Sequence, residues 1–140
     1  ATSSDNYMVQ AFPKNAWGKR FLTATAASTS GGDQFDYFRI CVSDPATAVT
    51  VNGLPVSVPL QGNFFYDLPL TNQPMQIAAD KPITVAQIFP SQSRCGNTGL
   101  GDPEVIYLSP VEQNINKVLW NATNRFAITN HYINVIIPSG

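Results

Sequence analysis

Charge is what this chain has least of. Only 12% of its 140 residues are charged, about half the usual share, and eight Lys and Arg against nine Asp and Glu leave a formal net charge of -1. The cations Lys14, Lys19, Arg20, Arg39, Lys81, Arg94, Lys117 and Arg125 are scattered, so no basic stripe exists for phosphates. Nucleic acid and anionic membrane are therefore not expected as partners. No apolar run approaches the roughly 18 residues of a spanning helix, so no membrane insertion is expected. Long helical periodicity is also missing. With one histidine, His131, any Ser/His/Asp or Cys/His mechanism would have to pass through that residue, and no Gly-x-Ser-x-Gly elbow accompanies it. The two cysteines, Cys41 and Cys95, lack the spacing of a zinc site or a Cys-x-x-Cys redox pair.

What is present is apolar and β-forming. Hydrophobic residues make up 44% of the chain, and eleven Pro and nine Gly interrupt it at the short spacing of an all-β sandwich or barrel. The expected fold is one antiparallel β-sandwich domain, jelly-roll or Ig-like, over residues 12–138, after a flexible entry at 1–11. Candidate strands are 19–28, 35–43, 46–51, 54–60, 64–68, 74–79, 83–89, 104–109, 117–121, 125–129 and 132–137. The start at Ala1 without Met or leader, and the end at Pro138-Ser139-Gly140, suggest a processed protein or a piece of a longer one.

Local patterns set registers. Asn52-Gly53 tolerates the positive φ angles of a type I′ turn, which pairs Val51 with Leu54, Val49 with Val56 and Thr47 with Val58 and gives that hairpin an apolar side. Pro55 and Pro59 then sit at positions not hydrogen-bonded to the partner strand, so 54–60 should be a sheet edge. Alternation in Phe35-Asp36-Tyr37-Phe38-Arg39-Ile40-Cys41-Val42 sends Phe38, Ile40 and Val42 to the core and Tyr37, Arg39 and Cys41 to the opposite face. The runs 83–89 and 132–137 are almost continuously apolar, which suggests central strands covered on both faces.

Cys41 and Cys95 are expected to form one disulfide, closing a loop of about 55 residues worth roughly 4 kcal/mol in the chain-entropy model. It would pin the Ser-, Gly-, Asn- and Pro-rich loop 90–103 across the outer face of the 35–43 strand. Two free thiols in a reducing compartment are the competing reading; an oxidising compartment fits the polar, weakly charged surface better. Long tethered loops are often contact surfaces, and Ser91, Gln92, Ser93, Arg94, Asn97, Thr98 and Asp102 are the candidate ligand-contact residues.

Chemistry is less marked. Asp102/Glu104 and Asp33/Asp36 are the carboxylate pairs available for glycoside hydrolysis, but sequence closeness does not supply the separation across a cleft that such a pair needs. Asp33, Asp36, Asp44, Asp102 and Glu104 are weak calcium candidates without EF-hand spacing, so no metal or cofactor is assigned. The aromatics Trp17, Tyr37, Phe64, Phe65, Tyr66, Tyr107, Trp120 and Tyr132 are expected mostly in the core, with at least one of Phe64, Phe65 and Tyr66 outward. Asn121-Ala122-Thr123 fits a glycosylation acceptor pattern too common to assign.

Five segments together carry a family resemblance: Ala16-Trp17-Gly18-Lys19-Arg20-Phe21, the Thr50-Val51-Asn52-Gly53 hairpin, Asp80-Lys81-Pro82-Ile83, Gly101-Asp102-Pro103-Glu104-Val105-Ile106-Tyr107-Leu108-Ser109-Pro110-Val111-Glu112-Gln113, and Ile128-Thr129-Asn130-His131-Tyr132-Ile133-Asn134-Val135. In this order, over residues 12–138, they resemble the IgGFc-binding protein N-terminal domain family, whose bacterial members belong to secreted or cell-surface proteins of Bacteroidetes. The resemblance implies extracellular display, modular β architecture and binding or adhesion to a protein or glycan. It carries over no catalytic residues and does not imply antibody binding here. Family members continue past the segment like Asn134-Val135-Ile136-Ile137-Pro138, so the chain resembles the first part of the unit and could leave an edge for pairing with a neighbouring domain or another copy. The expected function is a non-catalytic extracellular binding module, the alternatives being a structural spacer or assembly domain and a fragment of a carbohydrate-active enzyme.

Overall fold

A computed structural model of the chain describes residues 7–27, 33–90, 103–125 and 130–137. Seven strands form one sheet: β1 (Gly18–Thr23), β2 (Tyr37–Val42), β3 (Val49–Val51), β4 (Leu54–Pro55), β5 (Phe65–Asp67), β6 (Met75–Phe89) and β7 (Glu104–Tyr107). Every pairing is antiparallel. Two short 3-10 turns, Lys14–Ala16 and Val111–Gln113, are the only named helical elements among the described residues. The sheet curls into a half-barrel, and among the described residues all seven named strands belong to this one sheet.

The organising element is β6, fifteen residues long. Its first half pairs with β1 on one side and β3 on the other, and its second half with β7 and β2. The exchange of neighbours happens at Asp80-Lys81-Pro82, where the sequence suggested a break between two strands. Instead the strand continues: the step from Gly18 to Arg20 on β1 spans Ile83 to Ala78 on β6, so the extra residues are absorbed as an irregularity. Such bulges bend a strand and raise its twist. Asp80 keeps the pairing alive there, donating its N–H to Ala48 O at 3.1 Å and accepting from Ala48 N at 2.9 Å.

The Asn52-Gly53 hairpin forms as its sequence dictates, with φ of 52° and 79° at the two turn residues. Val51 opposes Leu54, Thr50 opposes Pro55, and Val56 N donates to Val49 O at 3.0 Å. β4 is the end strand of the sheet, so the proline-bearing segment does lie at an edge. It is only two residues long, and Leu54 at the tip is exposed rather than part of the apolar side.

Phe21, Phe38, Ile40, Val42, Val49, Tyr66, Leu68, Ile77, Ile83 and Val85 form the core. From Ile83 to Gln87 five consecutive residues are buried, so this half of β6 is covered on both faces, as its continuous apolar character predicted. Gly18 fits a close crossing: a Cβ there would stand 2.1 Å from Pro110 Cβ, so only glycine lets the segment before Val111–Gln113 lie on β1.

The last expected core strand is not one. Residues 117–121 and 132–137 form no strand and pair with nothing in the sheet, while 126–129 lie outside the described residues. Tyr132, Ile133, Val135, Ile136 and Ile137 are all exposed, up to 76% at Ile137. Apolar runs of this length cannot by themselves report whether a covering layer exists. Among the described residues no strand covers 132–137.

Candidate functional site

Three rows of side chains on the outer face of the sheet follow from the registers alone. Phe65, Cys41 and Thr84 form the first, Asp67, Arg39, Ala86 and Tyr107 the second, and Tyr37, Ile88 and Val105 the third. Directly opposed residues on antiparallel strands point to the same side. Alternation on β2 therefore places Tyr37, Arg39 and Cys41 away from the core, as expected, and all three are half-buried.

Arg39 is the centre of this face. Its Nε and Nη2 donate to the two Asp67 carboxylate oxygens at 2.7 and 2.9 Å, and its guanidinium lies 4.3 Å from the Phe65 ring centroid. The guanidinium is thus held over an aromatic ring by a bidentate pair. Hydrogen bonding from Asp67 raises the Arg39 pKa further above its ordinary value. Across Ala86, burial pushes the Tyr107 phenol up, and the Phe12 ring packs on Tyr107 at a centroid distance of 6.0 Å. Trp17 Nε1 donates to Phe12 O at 2.9 Å, tying the entry segment beside this face.

Cys41 is a free thiol in the structure, and no disulfide is seen among the described residues. Burial pushes its pKa above the ordinary thiol value, with Asp67 adding to the rise and Arg39 opposing it. Cys95 and the candidate contact residues Ser91, Gln92, Ser93, Arg94, Asn97, Thr98 and Asp102 lie outside the described residues. Their loop starts beyond Phe89 and returns before Glu104, residues that face each other across β6 and β7 beside the row of Tyr37.

Of the carboxylates weighed for catalysis or calcium, Asp102 lies outside the described residues. Asp36 is buried and faces donors: Oδ2 accepts from Gln87 Nε2 at 2.7 Å and Ala26 N at 2.9 Å, and Oδ1 from Gln34 Nε2 at 3.0 Å. Asp33 and Glu104 are exposed, and Asp44 pairs with Lys81 at 2.5 Å. Among the described residues no three His, Cys, Asp or Glu side chains come together as a metal site. His131 is exposed and meets the Trp120 ring edge-on at 5.6 Å.

Of the eight aromatics named from the sequence only Tyr66 is buried; Trp17, Tyr37, Phe65 and Tyr107 are half-buried, and Phe64, Trp120 and Tyr132 are exposed. The expectation of a mostly buried aromatic set is corrected, because an open half-barrel leaves rings at its rims. A second feature was not foreseen. Between the ends of β1, β6 and β7 and the segments 114–120 and 132–137 lies an apolar groove of about 790 Å³, with Gln87 on its floor and Trp120 and Tyr132 at its wall. Nothing in local periodicity marks such a groove, since it depends on which strands stay unpaired.

A family described as IgGFc binding protein matches residues 1–140 of the chain. Nothing matches it among curated proteins or among solved structures.

Proposed function

The chain belongs to the IgGFc binding protein family, and from that premise we propose that it is a non-catalytic, extracellular module of a larger cell-surface or secreted protein, binding a protein ligand through the outer face of its sheet and the loop at 91–102. One observation carries this reading: Arg39, Phe65, Tyr107 and Tyr37 form a half-exposed aromatic and guanidinium patch beside the roots of that loop. Arg and aromatic side chains of this kind dominate binding energy at protein interfaces, because they combine large area with few rotamers to freeze.

The test is surface binding to an array of extracellular proteins, immunoglobulin Fc included, and glycans, with native chain, Phe65→Ala and Tyr107→Ala. A protein ligand whose affinity falls by about tenfold or more in the variants, at unchanged thermal midpoint, is the expected result. Ligands confined to glycans, or binding indifferent to both substitutions, would refute it.

The reading includes a Cys41–Cys95 cross-link in an oxidising compartment. Chain length permits it: Cys41 opposes Thr84, five steps or about 17 Å short of Phe89, and the six steps from Phe89 to Cys95 reach about 20 Å. Alkylation of the secreted protein, unfolded without reductant, should add no label, and two adducts after reduction. Labelling of both thiols before reduction would show the bond absent.

A second reading, a structural spacer or assembly domain joined to others through sheet edges, is favoured by the unpaired strand-like segment at 132–137.

A further inference from the structure

Gln87 interrupts an otherwise apolar stretch of β6, and it is 3% exposed. A buried amide must be hydrogen-bonded, and its Nε2 donates to Asp36 Oδ2 at 2.7 Å and to Ala24 O at 3.0 Å. A carboxylate and a carbonyl accept these bonds, which uses both hydrogens of the nitrogen, fixes the orientation of the amide and leaves Oε1 to accept. Asn134 repeats the pattern, its Nδ2 donating to Thr25 O at 2.9 Å and to Ala24 O at 3.5 Å. Among the described residues none donates to Gln87 Oε1 or to Asn134 Oδ1.

Both amides line the groove of about 790 Å³ at the ends of β1, β6 and β7, a volume within the roughly 300–1,000 Å³ of small-molecule sites. Gln87 opposes Phe38 on β2 and Ile106 on β7, and opposed residues share a face. The groove therefore lies on the core side of the sheet, away from Arg39 and Tyr107. Leu22, Phe89, Ile106, Trp120 and Ile136 give it apolar walls, and among the described residues no charged side chain lines it. Leu22, Ile106, Trp120 and Ile136 are 39–52% exposed, so these walls still have apolar surface to bury.

We propose that this groove is a binding site for a neutral, mostly apolar small molecule that carries a hydroxyl or N–H donor. An ion is disfavoured there, since no lining charge replaces the water it would lose. The apolar body of the ligand takes the aliphatic and aromatic walls out of water, and its donor meets an amide oxygen, which sets its orientation. The two sites are on opposite faces of the sheet, so this inference is independent of the outer-face binding reading.

The probe is N-phenyl-1-naphthylamine, neutral and bearing one N–H, titrated into the native chain with its own emission as the readout. Its N-methyl derivative and its 8-sulfonate are titrated in parallel, and the neutral parent also into Ile106→Trp, which adds bulk inside the groove at a half-exposed position of β7; circular dichroism would verify that fold. Saturable one-to-one binding of the parent is expected, weaker by about threefold or more for the N-methyl compound, which has lost the donor, and by about tenfold or more for the sulfonate. Ile106→Trp should weaken the parent by about tenfold or more as well. No saturable binding, or equal binding to native chain and Ile106→Trp, overturns the site. A sulfonate that binds as tightly as the parent overturns the neutral ligand class, and an N-methyl compound that does so overturns the donor. Parent affinity that falls as the chain is made more concentrated would put a second copy in the groove instead.

Discussion

Replacing Phe38 with alanine is expected to destabilise the fold by about 3–5 kcal/mol, the larger part of the stability a domain of this size usually has. Phe38 is 1% exposed and lies on β2, between β5 and β6. Its neighbours in the core sit on strands that hydrogen bonds hold on both sides, since Leu68 N donates to Phe38 O at 2.9 Å and β2 pairs with β6 from Tyr37 to Val42. Such a frame cannot collapse into the space a ring leaves, so a cavity term adds to the lost transfer energy. Urea denaturation should show a lowered midpoint with an unchanged slope. Leu54→Ala, at the exposed hairpin tip, is the control and should stay within about 0.5 kcal/mol of native.

How much of this was legible beforehand depended on the range of the interaction involved. The Asn52-Gly53 turn was readable because two residues fix their own φ angles and the twist of the flanking strands. The split of Phe38, Ile40 and Val42 from Tyr37, Arg39 and Cys41 was readable because a period of two has one meaning once one face is buried. β6 was harder: Pro82 signals an interruption locally, yet the sheet exchanges neighbours there, and Ala48 pairs with Asp80 across the irregularity. The segment 132–137 misled for a related reason, because apolar composition reports what a strand would do if covered.

The outer-face patch shows the same division. That Arg39 and Cys41 leave the core follows from alternation. That Asp67, Phe65 and Tyr107 stand in rows with them requires the registers of β5 and β7, which bring in residues far from Arg39 in the chain, Tyr107 by way of Ala86 on β6. The Asp36 network needed still more. An aspartate after Phe35 reads as a strand residue or a weak cation ligand, and only the fold reveals three donors converging on it.

Asp36→Ala is accordingly expected to cost about 2–4 kcal/mol, as charge-assisted hydrogen bonds inside a protein are strong and their orphaned partners expensive. The side chain is fully buried, and its two oxygens accept from N–H donors at three places in the chain. Deleting it leaves the Ala26 N–H facing an apolar void, and leaves Gln87 Nε2 with Ala24 O, 3.0 Å away, as its remaining acceptor. The effect should spread in one direction. Ala24 and Thr25 supply the carbonyls that hold Asn134, and Ala24 and Ala26 line the groove, so loosening this segment should release the anchor of 132–137 as well. The measurable signature is a lowered denaturation midpoint together with faster amide exchange at Ala26. Asp36→Asn, which keeps the shape but turns an N–H₂ toward one of the donors, should fall between native and alanine. A midpoint for Asp36→Ala equal to native would mean that water can replace the carboxylate, and the groove wall would then need another support.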